Sequence, residues 1–136
     1  HPNEDAARRL GVRFVSLEEL MATADFVTIH TPKTPQTAGL ISSALLGGAK
    51  PGQILVNAAR GGVVDEHALV DALRNGPMRA AGLDVFEQEP PEDSPLLKLD
   101  NVVLTPHLGA STSEAQARAG TDVAEAVLAV LRGGTE

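Results

Sequence analysis

Hydrophobic positions in this chain form two patterns, short apolar runs and longer segments with a single apolar stripe. The runs are rich in Val, Ile and Leu and stop at polar, Gly or Pro residues, which is typical of strands in a covered sheet. They predict strands at 12–15, Phe26–Ile29, 54–56, 80–85 and 101–104. The run at 54–56 has the composition of a strand buried on both faces, so we expect it to lie at the centre of the sheet.

Segments with helical periodicity separate these runs, and capping residues mark their ends. Asn3, Ser42 and Asp65 are predicted N-caps, while 16–19 and 111–114 match the capping-box pattern. The predicted helices cover Glu4–Leu10, Leu17–Thr23, Ser43–Gly47, the residues from Asp65 to Asn75, and 112–131. Regular alternation of strands and helices predicts an α/β fold with a parallel, doubly wound sheet.

Composition narrows the class of protein. The 136 residues are enough for one domain, and with three Phe and no Tyr or Trp the core must be largely aliphatic. The absence of Cys fits a reducing cytoplasm. A net charge of −7 argues against nucleic acid as a partner, and no apolar run approaches the roughly 20 residues of a membrane span. The chain starts at His1 rather than Met, so we expect that residues preceded it.

Polar residues follow four of the predicted strands. Because the carboxyl ends of parallel strands lie on one side of a sheet, these residues should share an edge. They are His30 and Thr31, Asn57 to Arg60, Asp84, and Thr105 to His107, with Glu87 and Glu89 in the loop after Asp84. Such an edge combines acid–base groups with an anion-binding group. No spacing of His, Asp and Glu predicts a closed metal site.

Each of these residues also has a purely structural interpretation. Arg60 lies three residues past a strand end on a Gly-rich turn. It fits both an ordinary surface arginine and a fixed cation aimed at a carboxylate or phosphate. Strand-end contacts, turn capping or plain solvation would also explain His30, Asp84, Glu87, Glu89 and His67, and they are favoured for His30, Glu87 and His67. The residues alone leave these alternatives open.

Three motifs carry a family resemblance. NAARGGVVD at 57–65, GLDVFEQEPP at 82–91 and TPHLGAST at 105–112 closely resemble D-2-hydroxyacid dehydrogenases. The resemblance covers essentially the whole chain. HLGAST followed by Glu114 to Gln116 is most similar to a bacterial branch that oxidises a phosphorylated 2-hydroxy acid on the way to serine.

The resemblance implies a Rossmann-like fold, NAD as cofactor, a small 2-hydroxy acid as substrate and a homo-oligomeric parent. Arg60 matches the arginine that binds the substrate carboxylate. His107 matches the catalytic histidine, and Glu89, rather than Glu87, matches its acidic partner. The positions that match the lining of the nicotinamide nucleotide are Thr31, Ala58, Ala59, Arg60, Asp84, His107, Leu108, Gly109 and Ala110.

The chain departs from the family by omission. It contains neither the G-x-G-x-x-G turn nor the acidic residue that binds the ribose, so the choice between NAD and NADP rests on residues outside it. We therefore expect residues 1–136 to form the C-terminal part of a dinucleotide-binding domain, a partial doubly wound sheet that lacks the first βαβ unit. The helix at 112–131 would lead back to a substrate domain, and the chain alone would be inactive.

Two other functions fit the same fold. A related enzyme could reduce glyoxylate or hydroxypyruvate, because phosphate-binding groups would lie mostly on the substrate domain. A nucleotide-sensing or corepressor-type binding module could also use this fold, since fold does not determine function. The complete set of Arg60, Glu89 and His107 favours an enzyme.

Overall fold

A computed structural model describes residues 3–109 and 111–134. Its centre is a parallel four-stranded sheet in the order β1-β2-β3-β4. The strands are β1 (Phe26–Ile29), β2 (Gln53–Asn57), β3 (Met78–Leu83) and β4 (Val102–Leu104). This arrangement confirms the predicted parallel α/β sheet.

The helices are α1 (Glu4–Leu10), α2 (Leu17–Thr23), α3 (Ser43–Gly47), α4 (Glu66–Arg74) and α5 (Ser113–Leu131), and a 3₁₀ turn spans Pro95–Lys98. Side chains cap α1, α2 and α4 as predicted: Asn3, Ser16 and Asp65 accept backbone N–H groups of the first turn. Ser42 occupies the N-cap position of α3, but its side chain makes no capping hydrogen bond. No helix in the described ranges is long and apolar enough to cross a membrane.

The core lies on one face of the sheet. Strand residues such as Ile29, Leu55 and Leu83 pack there with buried residues of α2, α3 and α4 in a single cluster. Neighbours on the opposite face remain in solvent, with Phe26 69% and Val103 71% exposed. The strand predicted at 54–56 lies inside the sheet, between β1 and β3, as expected, but it is not buried on both faces. Its apolar run matches a doubly covered strand, but the described residues cover one side only.

The strand predicted at 12–15 is absent. Val12 and Phe14 are each 58% exposed, and these residues have no regular secondary structure. A strand requires a hydrogen-bonded neighbour, and in the described part of the chain β1 pairs only with β2. A favourable composition was not enough to form a strand here.

Several predicted boundaries also shift, and two of these shifts have a visible cause. The strand predicted at 80–85 runs from Met78 to Leu83, because Met78 already pairs with Gln53 on β2. The long helix is capped by Thr112, whose hydroxyl accepts the N–H of Ala115 at 3.1 Å, and not by Ser111. The pattern of Ser, Thr and Ser in this segment offers several caps, and the local backbone selects the second.

Helix α5 differs from the other helices in its packing. None of its residues is buried, and apolar side chains such as Val127 and Leu131 are exposed along it. Within the part of the chain that the structure describes, its apolar stripe is therefore not buried against any other element.

Candidate active site

The carboxyl ends of the four strands form one row across the sheet. Ile29 pairs with Asn57, Asn57 with Leu83, and Leu83 with Leu104. Because the strands are parallel, the residues that follow them emerge at one edge, where an open α/β sheet binds its ligands. The structure thus places the four strand-end groups predicted from the sequence along the same edge.

The turn that carries Arg60 is held by Asn57, a buried side chain at the end of β2. Its Nδ2 donates to the carbonyl of Arg60, and its Oδ1 accepts the N–H of Ala59, both at 3.1 Å. The Arg60 guanidinium is exposed and donates to the carbonyl of Ala59 at 2.6 Å. Sequence reasoning missed this role of Asn57. The signal was a polar residue directly after a buried apolar run.

Asp84 fixes the turn that carries His107. Its Oδ1 accepts the Thr105 hydroxyl at 2.5 Å and the Leu108 N–H at 2.7 Å, and its Oδ2 accepts the Gly109 N–H at 2.7 Å. Burial acts to raise the pKa of the Asp84 carboxyl, but these three hydrogen bonds outweigh it and hold the pKa below its usual value. A charged carboxylate therefore anchors the turn.

The backbone of His107 is in the left-handed region, at φ 56°. A residue with a Cβ adopts this conformation at a cost, so the hydrogen bonds to Asp84 on its C-terminal side help to maintain it. At Gly109 an added Cβ would lie 3.1 Å from Asp84 Oδ2 and 3.6 Å from the carbonyl of Ala58. The absence of a side chain there leaves room for the Asp84 carboxylate that accepts the Gly109 N–H.

His107 and Glu89 form a hydrogen-bonded pair although 18 residues separate them in the chain. His107 Nδ1 lies 2.8 Å from Glu89 Oε2, and Glu89 Oε1 accepts the N–H of Phe86 at 3.0 Å. The bond from His107 and then that from Phe86 lower the pKa of the Glu89 carboxyl. An ionised carboxylate only accepts, so Nδ1 carries the proton and Nε2 remains available.

Shallow hollows line this edge between small residues. One of about 340 Å³ is lined by His30, Thr31, Pro32, Ala58, Ala59 and Arg60. A neighbouring hollow of about 190 Å³ includes Ala58, Gly82 and Asp84. Within 3–109 and 111–134, the Thr31 hydroxyl is one of two buried side-chain polar atoms that lack a hydrogen-bond partner. An unpaired polar atom beside small side chains fits a flat, polar-edged ligand such as nicotinamide.

Several residues proposed from the sequence do not contact the pair formed by His107 and Glu89. His30 Nε2 bonds to the Thr28 hydroxyl of its own strand at 3.0 Å. His67 is exposed on α4 and lines a different hollow with Glu66 and Glu92. Glu87 offers its backbone, not its carboxylate, to a neighbouring element. Ala110, predicted to line the nucleotide, lies outside the described residues. In those described, no group of three or more His, Cys, Asp or Glu could hold a metal ion.

The fold and the edge residues define a nucleotide-binding domain of the dehydrogenase type. A family model described as the NAD binding domain of D-isomer specific 2-hydroxyacid dehydrogenases matches residues 1–109. The chain belongs to this family, and NAD is the cofactor for which the family's domain is named.

Comparison with individual proteins shows which members of the family the chain resembles. The chain is 62% identical to a D-3-phosphoglycerate dehydrogenase of Mycobacterium leprae over 127 residues, which are 93% of this chain and 24% of that protein. The crystal structure of the TT0316 protein from Thermus thermophilus matches with a TM-score of 0.82 and 47% identity, over 90% of this chain and 40% of that one. D-Lactate dehydrogenase from Aquifex aeolicus, complexed with NAD and lactic acid, matches with a TM-score of 0.85 and 32% identity, over 98% and 44%. The chain thus spans about a quarter of the length of the M. leprae relative.

Proposed function

We propose that the full-length protein containing this chain oxidises D-3-phosphoglycerate to 3-phosphohydroxypyruvate, with NAD as the oxidant. The observation that carries this proposal is the 2.8 Å contact between His107 and Glu89, at the edge where Arg60 emerges. A nucleotide-sensing module does not need an acid–base pair of this kind. The name of the M. leprae relative supports the choice of substrate within the family.

His107 acts as the general base. Glu89 occupies Nδ1, so Nε2 accepts the proton of the substrate's C2 hydroxyl and returns it in the reverse direction. The imidazolium formed in this step is stabilised by the adjacent carboxylate, which also orients the ring. Glu89 can play this role because a glutamate is ionised at neutral pH, and the bonds from His107 and Phe86 lower its pKa further.

Arg60 binds the substrate carboxylate. Its turn is held by the buried Asn57 amide, so the exposed guanidinium extends from a defined backbone. A planar guanidinium binds a carboxylate through two parallel hydrogen bonds, which fixes the position of the neighbouring C2 atom. Arg60 thus orients the substrate, and His107 accepts the proton of its C2 hydroxyl.

Bound NAD would supply the chemistry of a two-electron oxidant, accepting the C2 hydrogen as hydride. The proton of the C2 hydroxyl would go to His107. The residues that would hold its nicotinamide end are Thr31, Ala58, Ala59, Arg60, Asp84, His107, Leu108, Gly109 and Ala110. The unpaired Thr31 hydroxyl supports this assignment, since a bound amide or ribose group would satisfy it.

The proposal includes the setting of the enzyme: a cytoplasmic homo-oligomer without a nucleic-acid partner. The absence of Cys supports the compartment, and the net charge of −7 supports the lack of a nucleic-acid partner. The homo-oligomer is what the family resemblance implies.

The test is the formation of NADH by the full-length protein with D-3-phosphoglycerate, D-lactate and D-glycerate. We expect the phosphorylated substrate to have the highest kcat/KM, and His107→Gln to abolish most of it. If glyoxylate or hydroxypyruvate reduction is faster by far, the protein is a reductase of the same family. No turnover with any 2-hydroxy acid would refute the enzymatic proposal.

A further inference from the structure

The arginine turn and the loop that carries Glu89 are in direct backbone contact. A Cβ built on Gly61 would lie 1.7 Å from the carbonyl oxygen of Phe86, a distance that no side chain can occupy. The two segments therefore touch with no side chain between them. Within the described ranges no hydrogen bond joins Gly61 to Phe86, so this contact alone does not secure the loop.

Glu66 supplies a hydrogen bond between the two segments. It is the first residue of α4, and its Oε1 accepts the backbone N–H of Glu87 at 2.6 Å. Helix α4 follows directly from the arginine turn, and residues such as Leu69 and Val70 bury it in the core. The acceptor thus belongs to a rigid element whose position relative to Arg60 is fixed.

The bond to Glu87 lies next to the one that orients Glu89. Consecutive backbone N–H groups, those of Phe86 and Glu87, donate to Glu89 Oε1 and Glu66 Oε1 respectively. Glu89 then reaches His107 through its other oxygen. A short series of hydrogen bonds therefore connects the start of α4 to the imidazole ring.

Ionisation of the Glu66 carboxyl is less favourable at this position than it is in water. Burial raises the pKa of the Glu66 carboxyl and, although the bond from Glu87 N–H opposes this, repulsion from the Glu87 and Glu89 carboxylates adds to it. The favourable contribution of Glu66 is therefore its accepting oxygen and not its charge. An uncharged acceptor of the same length should serve as well.

We propose that Glu66 is a positioning residue, which holds the loop at 86–89 against the arginine turn so that Glu89 meets His107. Its catalytic consequence rests on the function proposed above. The structural part of the proposal, that Glu66 holds the loop in place, does not depend on that function.

The test uses the full-length protein with Glu66→Ala and Glu66→Ser, which remove the acceptor, and Glu66→Gln, which keeps it. The control is Glu92→Ala, an exposed carboxylate that lines the same hollow and makes no hydrogen bond among the described residues. Hydrogen exchange measured by mass spectrometry follows the backbone amides at 84–89, and steady-state kinetics separates kcat from KM.

We expect Glu66→Ala and Glu66→Ser to speed exchange at the loop and to lower kcat by up to about tenfold each, the equivalent of one lost hydrogen bond, with little change in KM. Glu66→Gln should restore both values to within about twofold. Wild-type exchange and kcat in the Ala and Ser variants would overturn the proposal. So would an equal loss in Glu66→Gln, because the charge would then be the active feature. If the wild-type protein oxidises no 2-hydroxy acid, the proposed function fails, while the exchange data still decide whether Glu66 holds the loop.

Discussion

At the scale of single residues, buried acceptors position the groups that react. Asn57 and Asp84 each satisfy backbone N–H groups of a turn, and those turns carry Arg60 and His107. A polar side chain buried in this way is stabilising only while its hydrogen bonds are complete. The geometry of the exposed reactive groups thus depends on residues that need not touch a substrate.

Arg60→Lys should weaken substrate use in the full-length protein. Lysine keeps the charge but not the paired planar donors, so we expect kcat/KM to fall about 10- to 100-fold, the equivalent of one lost charge-assisted hydrogen bond. Steady-state kinetics with the hydroxy acid varied measures this, and the affinity for NAD should change much less. Arg74→Lys, at the exposed end of α4, is the matched control. Unchanged constants in Arg60→Lys would remove Arg60 from the site.

Glu89→Gln should lower kcat, because the amide nearly preserves shape but removes the charge that stabilises the imidazolium. His107→Gln should be more damaging, on the order of the 10²- to 10⁴-fold loss typical of a missing acid–base group. Glu87→Gln is the control, since the Glu87 carboxylate does not contact His107. Rates of NADH formation compare the three. A larger loss in Glu87→Gln than in Glu89→Gln would show that the wrong glutamate was assigned.

At the scale of elements, packing between the arginine turn and the 86–89 loop requires Gly61. In Gly61→Ala the new Cβ would overlap the Phe86 carbonyl, and backbone must move to admit it. We expect a loss of about 1–3 kcal/mol in the free energy of unfolding, the usual range for overpacking, measured by urea denaturation. Gly47→Ala in α3 is the control, because its Cβ would meet no atom within 4 Å. Equal effects of the two changes would contradict the close contact.

Sequence patterns predicted the elements that are defined by local signals. Capping residues and apolar stripes placed α1 to α4 within about a residue, and in α1, α2 and α4 the predicted cap bonds to a neighbour in the chain. The strand expected at 12–15 failed because a strand depends on a partner that local composition does not reveal. The 3₁₀ turn at Pro95–Lys98 gave no periodic signal and was not predicted.

The candidate site, like the fold, was predictable only in part from the sequence. Parallel strand ends implied a shared edge, but not which of two neighbouring glutamates approaches His107. That depends on how the 86–89 loop folds back. The fold of this loop is set partly by the hydrogen bond between Phe86 and Glu89 within it, and partly by the bond from Glu87 to Glu66, which lies 21 residues earlier in the chain. The family resemblance selected Glu89 before any geometry was known, and the structure brings Glu89 to the ring.

At the scale of the whole molecule, acidity should destabilise the fold. The pKa values of the Asp84 and Glu89 carboxyls are lowered in the folded state, so the unfolded chain binds protons first as the pH falls through the ordinary carboxyl range near 4. Their contribution is present above that range and is lost as the pH falls through their folded values. Glu66, with a raised pKa, acts in the opposite direction. Urea denaturation between neutral pH and about pH 3 should show a fall in stability that is smaller in Glu89→Gln. Parallel curves would contradict this assignment.

The uncovered face of the sheet should make the 136-residue chain associate in solution. Phe26, Val56 and Val103 are exposed side chains on that face. Apolar surface of this kind favours contact with another molecule. Sedimentation velocity should show concentration-dependent association that Val103→Thr weakens. Leu97→Thr, at an exposed residue of the 3₁₀ turn, should leave it unchanged. A monomer at all concentrations would contradict the expectation.

The order of the strands also bears on how the chain is made. Strands β1 to β4 stand side by side in the order in which they occur in the sequence. A ribosome delivers them in that order, so the sheet can grow at one edge and no early pairing must open to admit a later strand. On that side only the newest strand offers unpaired N–H and C=O groups. For β1 to β3, the interval in which another nascent chain could pair with that edge lasts only until the next strand pairs with it.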